Sequence, residues 1–263
     1  MHAQNTKKSK SEKRQERQAV KAEENIVRCA PVRGRTPGQN RYLAALKSSV
    51  MTIAIGPAGT GKTFMAASYA AEMFIAGKIK QIILVRPAVA AGGEEHGFLP
   101  GDLKKKLAPW TAPVMAVLRQ KMGNGKVDAL IAADLIRVEP FTYMRGLTFS
   151  DAFVLLDEAQ NATTEQMKLF TTRIGENCKV VIDGDIEQAT DLGPVTSGLH
   201  AVISIAHSQR LEDVEVVTLT VRDIVRSGMT KAWVQGWHAH EKGTLPPMAF
   251  MGGSAVQPGA GLQ

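Results

Sequence analysis

The chain has 263 residues, 44% of them apolar and 22% charged, with a formal net charge of +7. That much apolar material excludes disorder throughout and suffices for one large α/β domain or two small ones. No uncharged apolar run approaches the ~18 residues of a membrane span, and the charged opening MHAQNTKKSKSEKRQER lacks a secretory signal's apolar stretch, so a soluble, cytoplasmic protein is expected.

The charge is uneven along the chain. Residues 1–41 carry eleven Lys/Arg against four Glu, so the whole excess sits there and the remainder is formally balanced. Residues 1–24 are polar and nearly free of large apolar groups, which predicts a basic flexible arm ahead of a domain over 25–242. Arms of this composition bind phosphate backbones or serve only solubility. Cys29 and Cys178 are isolated and build neither a disulfide framework nor a C-x-x-C site. His238 and His240, two apart on a predicted helix, point to different faces and read as surface histidines.

The first strand candidate, MTIAIG (51–56), runs into GPAGTGKT and then into a helix predicted over 62–76. This matches G-x-x-x-x-G-K-[ST] in its strand, loop, helix setting. Gly56, Gly59 and Gly61 allow the tight turn that aims N–H groups inward at the positive end of the helix, making an anion nest. The whole loop, Gly56, Pro57, Ala58, Gly59, Thr60, Gly61, Lys62 and Thr63, is therefore assigned to a nucleotide. Lys62 is placed to bridge the β- and γ-phosphates, and the Thr63 hydroxyl to bind Mg²⁺.

A second strand, QIILVRP (81–87), leads into AAGGEEHGFLPGDLKKKLAPW, read either as a mobile loop touching nucleic acid or as a solvated helix face, and a helix over 102–121. LIRVEP (135–140) is the third strand. The fourth, AFVLLDE (152–158), is apolar and ends in two acids. Asp157 fits the Mg²⁺ shell, and Glu158 fits a base that polarises the attacking water. A helix over 164–174 follows, then the strand KVVIDGD (179–185), which ends in GDIEQ and puts Gln188 where a side chain can sense the γ-phosphate. A helix over 196–206, a strand VEVVTLT (214–220), a helix over 222–241 and a disordered tail over 243–263 complete the chain. Short strands apolar on both faces alternate with helices, which predicts an α/β fold of the P-loop NTPase class, a parallel sheet with helices on both faces.

DEAQN after the fourth strand, together with GDIEQ, resembles the first motor domain of superfamily 1 helicases, a RecA/helicase-like fold. The chain is more similar to the PhoH-like ATPases, over roughly residues 36–240. The matching segments are TPGQNRY, GPAGTGKT, ILVRPAVAAGGEEHGFLPGDLKKKL, the run from YMRGLTF through DEAQN to GDIEQ, and a late RDIVRS. GDIEQATDLGP departs from the family's GD-x-x-Q-x-DLP by two residues before Asp191, and DIVRS departs from DVVRH after Arg226. The resemblance makes Gln39 the adenine reader, which favours ATP; the competing reading is a water-facing helix residue. It also puts Gln160 where helicase-like ATPases couple nucleotide state to nucleic acid, and keeps Arg226 as a catalytic arginine.

With a single motor domain, the positive group on the γ-phosphate must come from this chain or a neighbour, and Arg226, Arg145 and Arg173 are the candidates. A homo-oligomer, a hexameric ring, follows as the expectation. The leading function is ATP hydrolysis with Mg²⁺, coupled to RNA or single-stranded DNA. The alternative is a nucleotide-gated assembly module in which hydrolysis is incidental, and a small-molecule kinase is disfavoured by the acid pair.

Overall fold

The computed structural model describes residues 30–87, 103–188, 197–241 and 243–244. The predicted arm over 1–24, Cys29, most of the 90–110 segment's loop, the residues inserted before Asp191 and the tail from 245 lie outside the described residues. The chain divides into two units, one ending at Val225 and the other starting at Arg226, where the sequence reading carried one domain to 242.

In the first unit, helix α1 (Pro37–Ser48) precedes β1 (Met51–Ile55), and α2 (Lys62–Ile75) leads to β2 (Gln81–Val85). Helices α3 (Leu103–Met122) and α4 (Asn124–Ala132) cross to β3 (Ile136–Val138). Then come β4 (Ala152–Leu156), α5 (Thr164–Thr171), β5 (Lys179–Gly184), α6 (Gly198–Gln209) and β6 (Val214–Thr218). The six strands form one parallel sheet in the order β3-β2-β4-β5-β1-β6. All six were legible from their apolar runs.

Alternate side chains of β1, β2, β4 and β5 feed two cores. Ala54, Ile82, Leu84, Phe153, Leu155 and Val181 pack with α1 to α4, and Ile53, Ile83, Val154, Leu156, Val180 and Ile182 pack with α5 and α6. Burial on both faces explains why these strands read as continuous apolar runs. The α2 face against the sheet is built from Met65, Ala66, Ala67, Ala70 and Ala71, small enough for helix and strands to approach closely.

Two helices escaped the sequence reading. For α1 the signals were present: Thr36 caps it, its hydroxyl accepting from the Gln39 N–H, and Pro37 opens it. Its buried face is Gly38, Gln39, Tyr42, Ala45 and Leu46, a helical stripe. Gln39 is therefore buried, 4% exposed, and does not face water. For α4, only Val127 is buried, so its apolar periodicity is faint.

The helix expected over 222–241 breaks in two. A single 3₁₀ turn, Val221–Asp223, is closed by a capping box in which Thr220 Oγ1 accepts from the Arg222 N–H and the Asp223 carboxylate accepts from the Thr220 N–H. Ile224 is extended, and the Val225 N–H donates to the Gly59 carbonyl at 3.0 Å. The helix proper, α7 (Gly228–Glu241), belongs to the second unit, where Met229, Trp233 and Trp237 are exposed at four-residue spacing.

Asp223 fastens the late segment to the start of α1. Its Oδ1 accepts from the Thr36 hydroxyl (2.6 Å) and the Gly38 N–H (3.0 Å). A Cβ on Gly38 would lie 2.4 Å from this carboxylate, so only glycine allows the approach. Burial alone would raise the Asp223 carboxyl, but hydrogen bonds from Thr36, Thr220 and Gly38 outweigh it and hold it below the usual value. A depressed folded-state value adds stability above the unfolded value near ~4, and the gain is lost as pH falls through the folded value. Asp223→Ala is expected to lose about 2 kcal/mol in urea unfolding at neutral pH. The gap to wild type should narrow as pH falls below about 4 and through the depressed folded value.

Candidate functional site

In a parallel sheet every strand points its C-terminal end to the same edge, and loops there collect the side chains that can do chemistry. At this edge Gly56 follows β1, Arg86 follows β2, Asp157 follows β4 and Asp185 follows β5.

The Gly56–Thr63 loop is shaped by glycines. Gly56 has φ +145°, and a Cβ there would sit 2.3 Å from the Leu219 carbonyl oxygen. Gly61, in the left-handed region at φ +85°, delivers the chain into α2 with Lys62 first. The Thr60 hydroxyl, fully buried, donates to the Pro57 carbonyl at 2.8 Å and braces the loop. The Lys62 ammonium lies across the same loop, donating to Gly56 O (2.5 Å) and Pro57 O (3.3 Å). Ala58 is exposed at its tip. Outside support comes from Gln39, whose Nε2 donates to the Thr60 carbonyl (2.8 Å) while its Oε1 accepts from the Arg35 N–H (2.8 Å).

The Thr63 hydroxyl donates to Asp157 Oδ1 at 3.1 Å. A hydroxyl and a carboxylate brought together at a loop mouth are hard oxygen donors, and they fit a divalent cation of the Mg²⁺ kind. The Glu158 N–H donates to the same Oδ1, also at 3.1 Å. Glu158 itself adopts φ +57°, ψ +43°, a left-handed conformation that costs a non-glycine residue about 1–2 kcal/mol. That turn sends its carboxylate back over the strand ends.

There the carboxylate is held on both sides. Arg86 approaches Oε1 (3.5 Å), and its other terminal nitrogen approaches Asp157 Oδ2 (3.6 Å). The Gln160 amide nitrogen donates to Glu158 Oε2 (2.6 Å) and to Gln188 Oε1 (3.1 Å), while its own oxygen accepts from the Asp185 N–H (3.1 Å). Gln160, buried at only 2% exposure, is thus the hub joining Glu158 to the segment that carries Gln188.

Asp183 is a further acid. Strand register pairs Leu156 with Ile182 and Ala54 with Asp183, so Asp183 lies between the phosphate-loop strand and Asp157. Burial first, and the Asp157 charge second, push its carboxyl far above the usual range. The Tyr42 phenol of α1 is buried near the same acids and is raised by burial, then by Asp183 and Asp157.

Lys62, Thr63, Asp157, Glu158, Gln188 and Gln39 are therefore assembled at one edge around the loop. Arg173 is not: its carbonyl accepts from the Phe149 N–H, before β4 begins, at the opposite end of the sheet. Arg145 is exposed after the Phe141–Tyr143 turn. Arg226 opens the second unit. Arg86 and Asp183 were missed. A cation directly after an apolar strand was a readable signal for Arg86, as the acids after β4 were for Asp157. Asp183 sits inside an apolar run, and only strand pairing reveals its neighbours.

A glycine-shaped loop after one strand of a parallel sheet, with an acid-tipped strand one strand removed, defines an α/β domain of the P-loop NTPase class. Within that class the chain belongs to the PhoH-like family: the family model described as PhoH-like protein matches residues 31–237. It is 41% identical over 211 residues to a PhoH-like protein of Mycobacterium tuberculosis (strain ATCC 25618 / H37Rv), covering 80% of this chain and 59% of that one. A PhoH-like protein of Bacillus subtilis (strain 168) is 40% identical over 218 residues, 82% of this chain and 67% of that one. Protein PhoH of Escherichia coli (strain K12) is 41% identical over 205 residues, 76% and 56% of the two chains. The chain thus spans 59% of the length of its mycobacterial relative. Among the described residues, no helix is long and apolar enough to cross a membrane.

Asp183 gives a pH test. A folded-state value raised above the unfolded one leaves stability intact below about pH 4 and erodes it as pH rises toward the folded value. In metal-free buffer Asp183→Asn, which cannot ionise, is expected to raise Tm by a few degrees at about pH 7. The gain should vanish near about pH 4 in a thermal melt series.

Proposed function

We propose that this protein binds ATP with Mg²⁺ at the Gly56–Thr63 loop and hydrolyses it to ADP and phosphate, with RNA or single-stranded DNA as its partner. The observation that carries the reading is the approach of the Thr63 hydroxyl to Asp157, beside a loop that presents Lys62. Mg²⁺, when bound, neutralises charge on the β- and γ-phosphates. Thr63 and Asp157 are the residues that would hold it.

Lys62 leaves the loop carbonyls for the β- and γ-phosphates, and Gln39, buried beside the loop, turns its amide to adenine. An amide that pairs with N6 and N7 selects adenine over guanine. Glu158 takes a proton from the attacking water, which makes water, not a second substrate, the acceptor. Gln188 contacts the γ-phosphate, and through Gln160 its loss reaches Glu158. Arg226 supplies the positive charge on the γ-phosphate within a hexameric ring of copies; such an arginine is worth about 10³–10⁵ in rate.

Phosphate release decides the matter. Lys62→Ala is expected to lose both nucleotide affinity and turnover. Glu158→Gln should keep ATP binding and lose about 10²–10⁴ in turnover. Turnover that survives Glu158→Gln would contradict Glu158 as the base, whereas ATP-dependent assembly that persists after turnover is lost would favour the assembly module. At low salt, single-stranded RNA or DNA should raise kcat, and turnover per subunit should rise with protein concentration as rings form; a strictly monomeric, fully active protein at high dilution contradicts the ring.

A further inference from the structure

Two consecutive carboxylates at the end of a buried strand need a counter-charge close by, and the Lys62 ammonium is hydrogen-bonded to Gly56 O and Pro57 O instead of to either of them. Arg86 supplies it. We propose that Arg86 is the positioning residue of the acid pair: it shares Asp157 with the divalent cation and fixes the carboxylate of Glu158 for catalysis. The proposal rests on the hydrolase reading above for its catalytic half only.

Three observations carry it. First, the guanidinium is forked, one terminal nitrogen 3.6 Å from Asp157 Oδ2 and the other 3.5 Å from Glu158 Oε1. A planar fork can hold two carboxylates in a fixed relation, which a point-charge ammonium cannot. Second, the anchor is rigid. Arg86 follows Val85, whose carbonyl accepts from the Asp157 N–H at 3.0 Å, so the cation and the acids ride on the same rung of the β2–β4 ladder. Third, the surroundings strengthen the charges: the Arg86 side chain is 17% exposed and adjoins a small pocket walled by Leu84, Val114 and Leu155.

The two halves pull in opposite directions. At Asp157 Oδ2, Arg86 occupies a carboxylate oxygen on the residue that would hold the cation, so its charge opposes metal binding. At Glu158 Oε1 it completes a clamp whose other jaw is Gln160 on Oε2 at 2.6 Å. Removing Arg86 therefore tightens metal and frees the base to swing. A general loss of structure would weaken both.

The test is Mn²⁺ binding by electron paramagnetic resonance in the presence of ADP, alongside steady-state ATP turnover, on the full chain. R86A is expected to bind Mn²⁺ about three- to tenfold more tightly. Its kcat should fall by about a hundredfold, the cost of a base out of place, with no rise in KM. R86K keeps the charge and loses the fork, so its Mn²⁺ affinity should match wild type while kcat recovers only in part. R86Q, which keeps much of the side chain without the charge, carries the same comparison should the alanine variant prove unstable. Unchanged or weaker Mn²⁺ binding in both neutral variants, or an unchanged kcat, overturns the proposal. Wild-type protein that turns over no ATP, while R86A still tightens Mn²⁺, overturns the hydrolase reading and supports the sharing of Asp157.

Discussion

Repulsion between like charges at the end of β4 is the constraint around which this edge of the sheet is organised. Asp157 and Glu158 follow a strand whose five residues are all buried, and Asp183 lies one strand away. Three carboxyl groups so placed cannot all be ionised without compensation. The structure sets Arg86 against two of the acids, while burial pushes the carboxyl of the third far above the usual range, an effect that the Lys62 charge partly offsets. Donors from Thr63 and the Glu158 backbone reach Asp157 Oδ1, and Gln160 reaches Glu158 Oε2, while Asp183 Oδ2 is buried without a hydrogen-bond partner among the described residues.

That arrangement depends on strand order. Because β5 is inserted between β4 and β1, the Gly184 carbonyl receives the Gly56 N–H (3.2 Å) on one side, while Gln160 seats against the β5 end on the other. The phosphate loop and the acid pair are thus braced against a common strand. A second brace comes from outside the sheet. Asp223 ties the late RDIV segment to α1, α1 presents Gln39 to the loop, and Val225 bonds to Gly59. Segments almost two hundred residues apart in sequence meet at one loop, which gives a physical reason for the family resemblance to extend so far beyond the loop itself.

Much of this was legible in the sequence. The central strands β1, β2, β4 and β5 announced themselves because burial on both faces demands apolar runs, the edge strands β3 and β6 through their β-branched residues, and the loop because glycine, lysine and threonine at that spacing have few other uses. What escaped has a common cause. Asp183 and Asp223 act through partners on other strands or segments, and pairing register is a property of the folded sheet; Arg86 had a signal, its place directly after an apolar strand, but its partners lie on β4. Helix ends were read less well for the same reason: Asp223 looks like a helical residue until its carboxylate is seen bonded to Thr36 and Gly38, and α5 stops at Thr171 because the chain must turn to let Arg173 meet Phe149. The net charge, prominent at first sight, belongs to residues 1–41 and contributes nothing to the core of this site.

Whether the acid pair serves an attack by water, as proposed, is read from single-turnover ATP cleavage in ¹⁸O-labelled water. Phosphate carrying one labelled oxygen is expected from the wild-type protein, with formation of that product suppressed in Glu158→Gln. Transfer of the γ-phosphate to another acceptor, or labelled phosphate formed equally fast by Glu158→Gln, would contradict the proposal.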